Sequence, residues 1–473
     1  MWAESDCPFG RAKFVVRVIT VEGMGNVAHS GFACTFPQEL YARRRAAFLD
    51  AIVRERGGSA DAVAIFASAP VYTRNNDVDH DYRQDSDLFY LTGFSEPDSV
   101  LVLTARDRKA TLFVRPRDKE RETWDGLRAG VDGARADFGA DVAHVVADLP
   151  IELPKLLENN ARLYYRFGRD RAFDDKVFAA LDRTRARARM GISWPVDICD
   201  PSPALHEMRL IKGSEDLEAM RAAAKITADA HIRAMAETKP GMREFQVDAL
   251  LMETFRREGS ERTAYANIVG SGENATILHY RAGNRQVQDN ELVLIDAGCE
   301  YGYFASDVTR TFPANGTFTK EQRAIYELVL EAQEAGLAAS VTGSTLDGIH
   351  DLCVEIITRG LVKLGLLAGE VPKLIEDGAY KPFYMHRTSH WLGMDVHDVG
   401  GYYVGGKARP LAPGMVLTVE PGIYIARDED RVPPEWRGIG VRIEDDILVT
   451  EQGYENMTAS IPKTVEEVER ACA

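Results

Sequence analysis

Asn290-Glu291-Leu292-Val293-Leu294-Ile295-Asp296-Ala297-Gly298 and Pro413-Gly414-Met415-Val416-Leu417-Thr418-Val419-Glu420-Pro421-Gly422 follow one pattern: an apolar run, a carboxylate, then glycine. A short apolar run bounded by turn residues reads as a buried strand. Each copy is followed by a second acid on a later strand-like run. These are Asp307 in Tyr303-Phe304-Ala305-Ser306-Asp307-Val308-Thr309 and Glu444 in Val441-Arg442-Ile443-Glu444-Asp445. Two helical stretches precede each copy. Helix, helix, strands, repeated, predicts a duplicated α/β (α+β) unit whose carboxylate pairs meet across a pseudo-twofold axis.

The helix ends are written in the sequence. A long helix is expected from Ser214 to about Glu237, with Ser214 as its cap and Glu215 and Asp216 at its positive end. Lys239-Pro240-Gly241 stops it. A second helix is expected over about Glu244 to Glu258, ended by Gly259. Thr319 with Gln322 forms a capping box for a third, and a fourth runs from about Asp347 to Leu364.

Strand alternation puts Ala305, Asp307 and Thr309 on one face, and Arg442 with Glu444 on another. Asp445 and Asp446 follow Glu444, so the pattern alone leaves open which acid is the ligand. The shared face with Arg442, which would orient a neighbouring carboxylate, favours Glu444. Ten histidines are present. His279 lies in Leu278-His279-Tyr280, and His386, His390 and His397 lie in one segment running to Asp398. Imidazoles clustered beside acids suit a ligand and proton-transfer groups. His206, His231 and His350, on helical stretches without acidic partners, read as structural. Asp296, Asp307, His390, Glu420 and Glu444 form an oxygen-rich set with one imidazole, which suits a pair of divalent metals such as manganese. Two metals sharing a water make a hydrolase site.

The first part of the chain reads as a separate α/β domain. A helix is expected over roughly Pro37 to Glu55, followed by strand-like runs at Val63–Phe66, Leu88–Leu91, Val100–Leu103 and Thr111–Val114. A proline-rich stretch from Pro195 to Pro203 marks a boundary. The division is therefore an extension over residues 1–36, expected to be loosely ordered, an N-terminal domain over 37–203 and a catalytic domain over 204–473. Such a length suggests two or three domains.

Composition narrows the function. The net charge of −16 argues against nucleic acid or an anionic membrane as partner. No apolar run approaches the ~20 residues of a spanning helix, and Arg17 and Glu22 interrupt the one short stretch that could begin a signal peptide. Six scattered cysteines form no CxxC pair, which fits a reducing cytoplasm. Gly270-Ser271-Gly272-Glu273-Asn274-Ala275 matches a relaxed dinucleotide fingerprint. Ile277-Leu278-His279-Tyr280 after it reads as a strand rather than a helix, so a backbone turn lining a cleft is expected.

From about residue 37 to the end the chain resembles the bacterial aminopeptidase P family of Xaa-Pro aminopeptidases, which have the pita-bread metallopeptidase fold. The resemblance rests on Arg83-Gln84-Asp85-Ser86-Asp87, Leu91-Thr92-Gly93-Phe94, Val269 to Asn274, Leu294 to Glu300, Asp307-Val308-Thr309-Arg310-Thr311-Phe312-Pro313, Ser389-His390-Trp391-Leu392-Gly393 and Gly438 to Asp446. It implies that Asp296 holds one metal, that Asp307 and Glu444 bridge two, and that His390 and Glu420 each hold one. His279, His386, His397 and Arg442 match the family's accessory residues. Residues 1–36 have no counterpart.

The implied reaction is attack by a metal-bridged hydroxide on the bond between the first residue and a proline at position two. Glu420 would relay the proton, and His279, His386 and His397 would bind the substrate and its oxyanion. A wall around His386, Trp391 and Tyr424 would receive the proline ring. Proline-containing peptides are then the partners. The runner-up is a prolidase restricted to Xaa-Pro dipeptides, followed by a non-catalytic scaffold. A methionine aminopeptidase is disfavoured by the large N-terminal domain. The family also implies a homo-oligomer, tetramer or dimer, with Arg83, Asp85 and Trp124 at the interface or cleft mouth, or in ordinary packing.

Overall fold

The computed structural model describes residues 36–55 and 57–473, so the expected extension lies outside the described residues apart from Phe36. Phe36 meets Phe304 edge-on at 6.2 Å, against the second half of the chain.

The N-terminal part is built on a six-stranded mixed sheet. Its strands are β1 (Ala62–Ala67), β2 (Val100–Thr104), β3 (Lys109–Val114), β4 (Val142–Val145), β5 (Arg162–Tyr164) and β6 (Asp197–Cys199), in the order β4-β3-β2-β1-β5-β6. The central strands β1 and β2 are nearly continuous buried runs, as a sheet covered on both faces requires. Helix α1 (Gln38–Arg54) lays Phe48, Leu49 and Ile52 on one face of this sheet.

Leu88–Leu91 is not a strand. It lies in helix α2 (Ser86–Thr92), whose amides at Asp87 and Leu88 donate to the Asp85 carboxylate, and which ends at Gly93 with φ +68°. All seven helical residues are buried, so no helical period could be read from the sequence.

The second half repeats a helix-pair and sheet unit. Helix α3 (Ser202–Leu210) leads into α4 (Ser214–Glu237) and α5 (Glu244–Arg257), followed by β7 (Ile268–Ser271), β8 (Leu292–Asp296) and β9 (Thr309–Pro313), antiparallel in that order. Helices α6 (Lys320–Ala339) and α7 (Leu346–Lys363) come next. They are followed by β10 (Val416–Val419), β11 (Gly422–Ile425), β12 (Ile439–Arg442), β13 (Asp445–Thr450) and β14 (Gly453–Asn456), which form the sheet β10-β13-β14 and the pair β11-β12. Helices and strands thus combine in an N-terminal domain followed by a duplicated C-terminal one. The largest apolar core lies between the helices and strands of the C-terminal half.

Two local expectations change. Ser214 is the first residue inside α4 rather than its cap. The amide of Gly213 instead donates to Asp216 Oδ2 at 2.9 Å, which closes the helix start from within. Ile277–Tyr280 is a turn rather than a strand, preceded by a 3₁₀ turn over Gly272–Thr276. The buried Glu244 carboxylate gathers the segment by accepting from the Ser271 and Gly283 amides, Asn274 Nδ2 and the Tyr280 hydroxyl. The Thr319–Gln322 capping box is present as expected.

His231 and His350 are buried structural histidines, bonded to Ala297 O at 2.9 Å and to Thr388 Oγ1 at 2.9 Å. His206 departs from the expectation, since α3 brings it 3.2 Å from Asp87. Burial pushes the His231 imidazole down to about 4, below its ordinary value of 6.5. The unfolded chain therefore binds a proton between these values that the folded chain does not. Stability from this group is full above pH 6.5 and declines as pH falls toward 4, by about 3 kcal/mol. Urea unfolding across this window should show a shallower pH dependence in His231→Gln than in the parent chain.

Candidate metal centre

The sheet register brings the four paired acids together. Asp296 ends β8 and stands opposite Thr309 on β9, with Asp307 two residues before that strand. Between them the chain doubles back so closely that a Cβ on Gly298 would lie 1.7 Å from Ser306 O, so only glycine fits. The second half repeats the arrangement. Glu420 follows β10 directly, Glu444 directly precedes β13, and these strands pair antiparallel with Val419 opposite Asp445. The halves are joined where the Glu444 amide donates to Thr309 O at 3.1 Å and Thr309 Oγ1 donates to Glu444 Oε2 at 2.6 Å.

His390 enters from a segment running beside β10. The Thr418 amide donates to His390 O at 3.0 Å and the Glu420 amide to Thr388 O at 2.8 Å. His390 Nε2 lies 3.3 Å from Asp307 Oδ2 and 3.6 Å from Glu420 Oε1. Ligand atoms of Asp307, His390 and Glu444 all fall within 4.8 Å of one another. Arg442 Nη2 donates to Asp296 Oδ2 at 2.6 Å, Nη1 to the Tyr424 oxygen at 2.7 Å, and Nε to Thr309 Oγ1 at 3.0 Å. The arginine therefore orients Asp296, not Glu444, which lies between β12 and β13 rather than on the strand face expected to carry both.

The three acids in the Glu444-Asp445-Asp446 run separate by contact. Asp445 turns away to a fully buried pair with Arg310 at 2.6 Å and to Lys463 at 3.0 Å. Asp446 accepts from Ser306 Oγ at 2.7 Å. Glu444 alone of the three faces the cavity. Tyr265, which the sequence reading did not single out, places its hydroxyl against both Asp296 Oδ1 and Asp307 Oδ1. Nothing local in Ala264-Tyr265-Ala266 announces that role.

A cavity of about 690 Å³ opens over the acids, lined also by His279, His386, His397, Tyr402 and Tyr403. Trp391 and Tyr424 do not line it. Trp391 is fully buried against the core around Leu417, and the Tyr424 hydroxyl sits behind His386 at 2.8 Å. The apolar wall instead comes from Ile268, Leu278, Val396 and the two tyrosines.

The electrostatics fit cation binding. Burial, added to the charges of Asp307, Glu420 and Asp296, holds the Glu444 carboxyl well above its usual range. Burial likewise raises Glu420, to about 7, against the pull of His390. Burial pushes His390 down, but its bond to Asp307 and the charges of Glu420 and Asp307 outweigh this and hold it up at about 9. Four crowded carboxylates thus draw on one imidazole and one arginine for positive charge. Divalent ions answer that excess with the oxygen donors they prefer. His390 Nδ1 donates to Trp391 O at 3.0 Å, which leaves Nε2 toward the acids, the orientation a metal-binding imidazole needs.

Fold and site together define a metallopeptidase. Residues 218–451 match metallopeptidase family M24, and residues 41–164 match the aminopeptidase P N-terminal domain. The Xaa-Pro aminopeptidase of Escherichia coli is 45% identical over 432 residues, 91% of this chain and 96% of that one. Human Xaa-Pro aminopeptidase 3 is 35% identical over 446 residues, 92% of this chain and 85% of its own. Among solved structures, Pseudomonas aeruginosa aminopeptidase PepP superposes with a TM-score of 0.89 at 49% identity, covering 92% of this chain and 98% of that one. The chain belongs to the aminopeptidase P family of M24 metallopeptidases, with the pita-bread fold.

If Glu444 joins Asp307 and His390 around a metal, Glu444→Gln should weaken divalent-ion binding by more than the roughly 10–100-fold that an outer partner costs. Equilibrium dialysis with elemental analysis reads this directly.

Proposed function

We propose that Asp296, Asp307, His390, Glu420 and Glu444 hold two divalent ions, manganese by preference, beneath a cleft that admits peptides with proline at position two. The activity is that of a metal-dependent Xaa-Pro aminopeptidase. The observation that carries the residue assignment is the convergence of three buried carboxylates, the partly exposed Glu420 and one imidazole from two sheet halves at the floor of a single cavity. Such ions, when bound, lower the pKa of a shared water toward neutrality and polarise the substrate carbonyl.

The chain's own groups divide the remaining work. Glu420, 3.7 Å from His386 Nδ1, is placed to take a proton and pass it to the departing proline nitrogen. His386 is neutral, since burial and then the Arg442 charge push its imidazole down to about 3. Its Nδ1 donates to Arg387 O at 2.8 Å, so its Nε2 accepts from the Tyr424 hydroxyl, whose oxygen in turn accepts from Arg442. That chain holds His386 against the cleft wall. His279 and His397 line the cavity and are the histidines we assign to the substrate carbonyl.

We place the domain boundary in the Pro195–Pro203 stretch, between β6 and α3. A homo-oligomer is part of the proposal as well. Trp124 is 81% exposed and Leu127 60%, giving the N-terminal domain an apolar surface that a second copy would cover. Asp85 caps α2 and pairs with Arg169 at 2.6 Å, and Arg83 bonds to Glu300 Oε2 at 2.6 Å, so these two serve packing. Cys299, Cys353 and Cys472 are buried free thiols and suit a cytoplasmic protein. Among the described residues no helix is long and apolar enough to cross a membrane.

Mass spectrometry of an Xaa-Pro-Yaa tripeptide and an Xaa-Pro dipeptide, each incubated with manganese-loaded enzyme, tests the activity. Release of the first residue from the tripeptide, abolished in Asp296→Asn, is expected. Cleavage of the dipeptide alone would make the enzyme a prolidase. Analytical ultracentrifugation should report an assembly larger than one chain that Trp124→Ala shifts toward monomer.

A further inference from the structure

The loop that joins His390 to His397 is clamped from behind by a charge cluster spanning both domains. Arg209, at the end of α3, is almost fully buried. It donates to Asp87 Oδ1 at 2.7 Å, Asp395 Oδ2 at 2.8 Å and Asp398 Oδ1 at 2.7 Å. Asp87 belongs to α2 of the N-terminal domain, whereas Asp395 and Asp398 belong to the loop. Lys212 Nζ donates to the other oxygen of Asp398 at 3.0 Å, and Asp398 itself is 1% exposed in its side chain. Packing here is tight, since a Cβ on Gly393 would lie 2.0 Å from Asp398 Oδ2.

The clamp reaches the metal centre through one carbonyl. The Asp398 amide donates to Trp391 O at 2.9 Å, and the same oxygen accepts from His390 Nδ1 at 3.0 Å. Asp398 therefore sets where that oxygen stands, and the oxygen sets both the tautomer and the plane of the His390 ring. Partners in this position fix a ligating imidazole and raise its basicity. The Leu392 amide donates to Val416 O at 3.0 Å and the Ala305 amide to Gly393 O at 2.8 Å, which tie the start of the loop to the sheets. Arg83 Nη2 donates to Met394 O at 2.7 Å and Ser86 Oγ to Asp395 Oδ1 at 2.6 Å, and Asp398 holds the end.

We propose that Arg209 is a positioning residue for the metal centre, holding Asp398 so that the Trp391 carbonyl orients His390. The N-terminal domain enters the reaction through the same arginine, because Asp87 supplies one of its three carboxylate partners. A fork of five donors suits a site with three acceptors in different directions, which an ammonium group would meet less completely. The proposal rests on the reading of His390 as a metal ligand, so His390→Ala is measured beside it.

Metal-free Arg209→Met, Arg209→Lys and Asp398→Asn would be dialysed to equilibrium against Mn²⁺, with bound metal determined by elemental analysis. Tripeptide cleavage would be followed at saturating Mn²⁺. A Kd for Mn²⁺ raised by ~10-fold or more in Arg209→Met is expected, with Arg209→Lys intermediate. At saturating metal kcat should still fall, because Val396 and His397, between the clamped Asp395 and Asp398, line the cleft and shift with the loop. Unchanged Mn²⁺ affinity in folded Arg209→Met or Asp398→Asn, alongside loss of metal in His390→Ala, would overturn the clamp. Wild-type affinity in His390→Ala would instead overturn the ligand reading itself. Should neither Arg209→Met nor Asp398→Asn give a cooperative thermal transition, the cluster is a folding element and the proposal falls.

Discussion

Like-charge crowding is the constraint on which the rest of this structure depends. The buried Asp296, Asp307 and Glu444 and the partly exposed Glu420 are brought into one site with Arg442 as the guanidinium among them. In a low-dielectric setting such groups repel, and their carboxyls rise unless cations answer them. Asp307 escapes through its bond to His390, whereas Glu420 and Glu444 stay high. A protein keeps such an arrangement only where the surrounding structure holds it in place. Here the duplicated sheet does that, delivering two acids from each half on strand ends that pair with one another.

The support beneath the site is itself polar. Arg310, on β9, is completely buried and ties Asp445 to the carbonyls of Glu444 and Pro462. Removing one member of a buried pair of this kind costs about 3–5 kcal/mol, because the other is left unpaired. Asp445 and Asp446 thus serve the site from behind: one anchors β13 to β9, and the other holds the Asp307 turn through Ser306 and the Asp307 amide. On the other side of the cavity the single carboxylate of Glu244 shapes the turn that carries His279. The acids and His390 stand at the floor of the cleft, and buried charge networks together with apolar packing set the loops around it.

The N-terminal domain is bound to this centre by salt bridges more than by a shared strand. Arg83 joins Glu300 and the Met394 carbonyl, and Arg209 joins Asp87 to the loop bearing His397. Charge-assisted bonds of this kind are directional, so they specify how one domain stands on the other.

The sequence by itself determined the duplication, the helix pairs, the clustered acids and the family, because these depend on local pattern: an apolar run ending in an acid, a capping threonine, an unbroken motif. The pattern alone left Glu444, Asp445 and Asp446 open and favoured Glu444 by a face shared with Arg442, but strand alternation breaks between β12 and β13 and contacts are what tell the three apart. It misread Leu88–Leu91, because a fully buried helix has no period, and Ile277–Tyr280, because Glu244 is distant in the chain. Trp391 was assigned to the cleft and lies in the core, since an aromatic residue beside a ligand says nothing about which way it points. Tyr265 and the Arg209 cluster were invisible for the same reason: each acts on a partner far away in sequence. Local signals recorded which residues could do the chemistry, and only the closing of two sheets and two domains decided which of them meet.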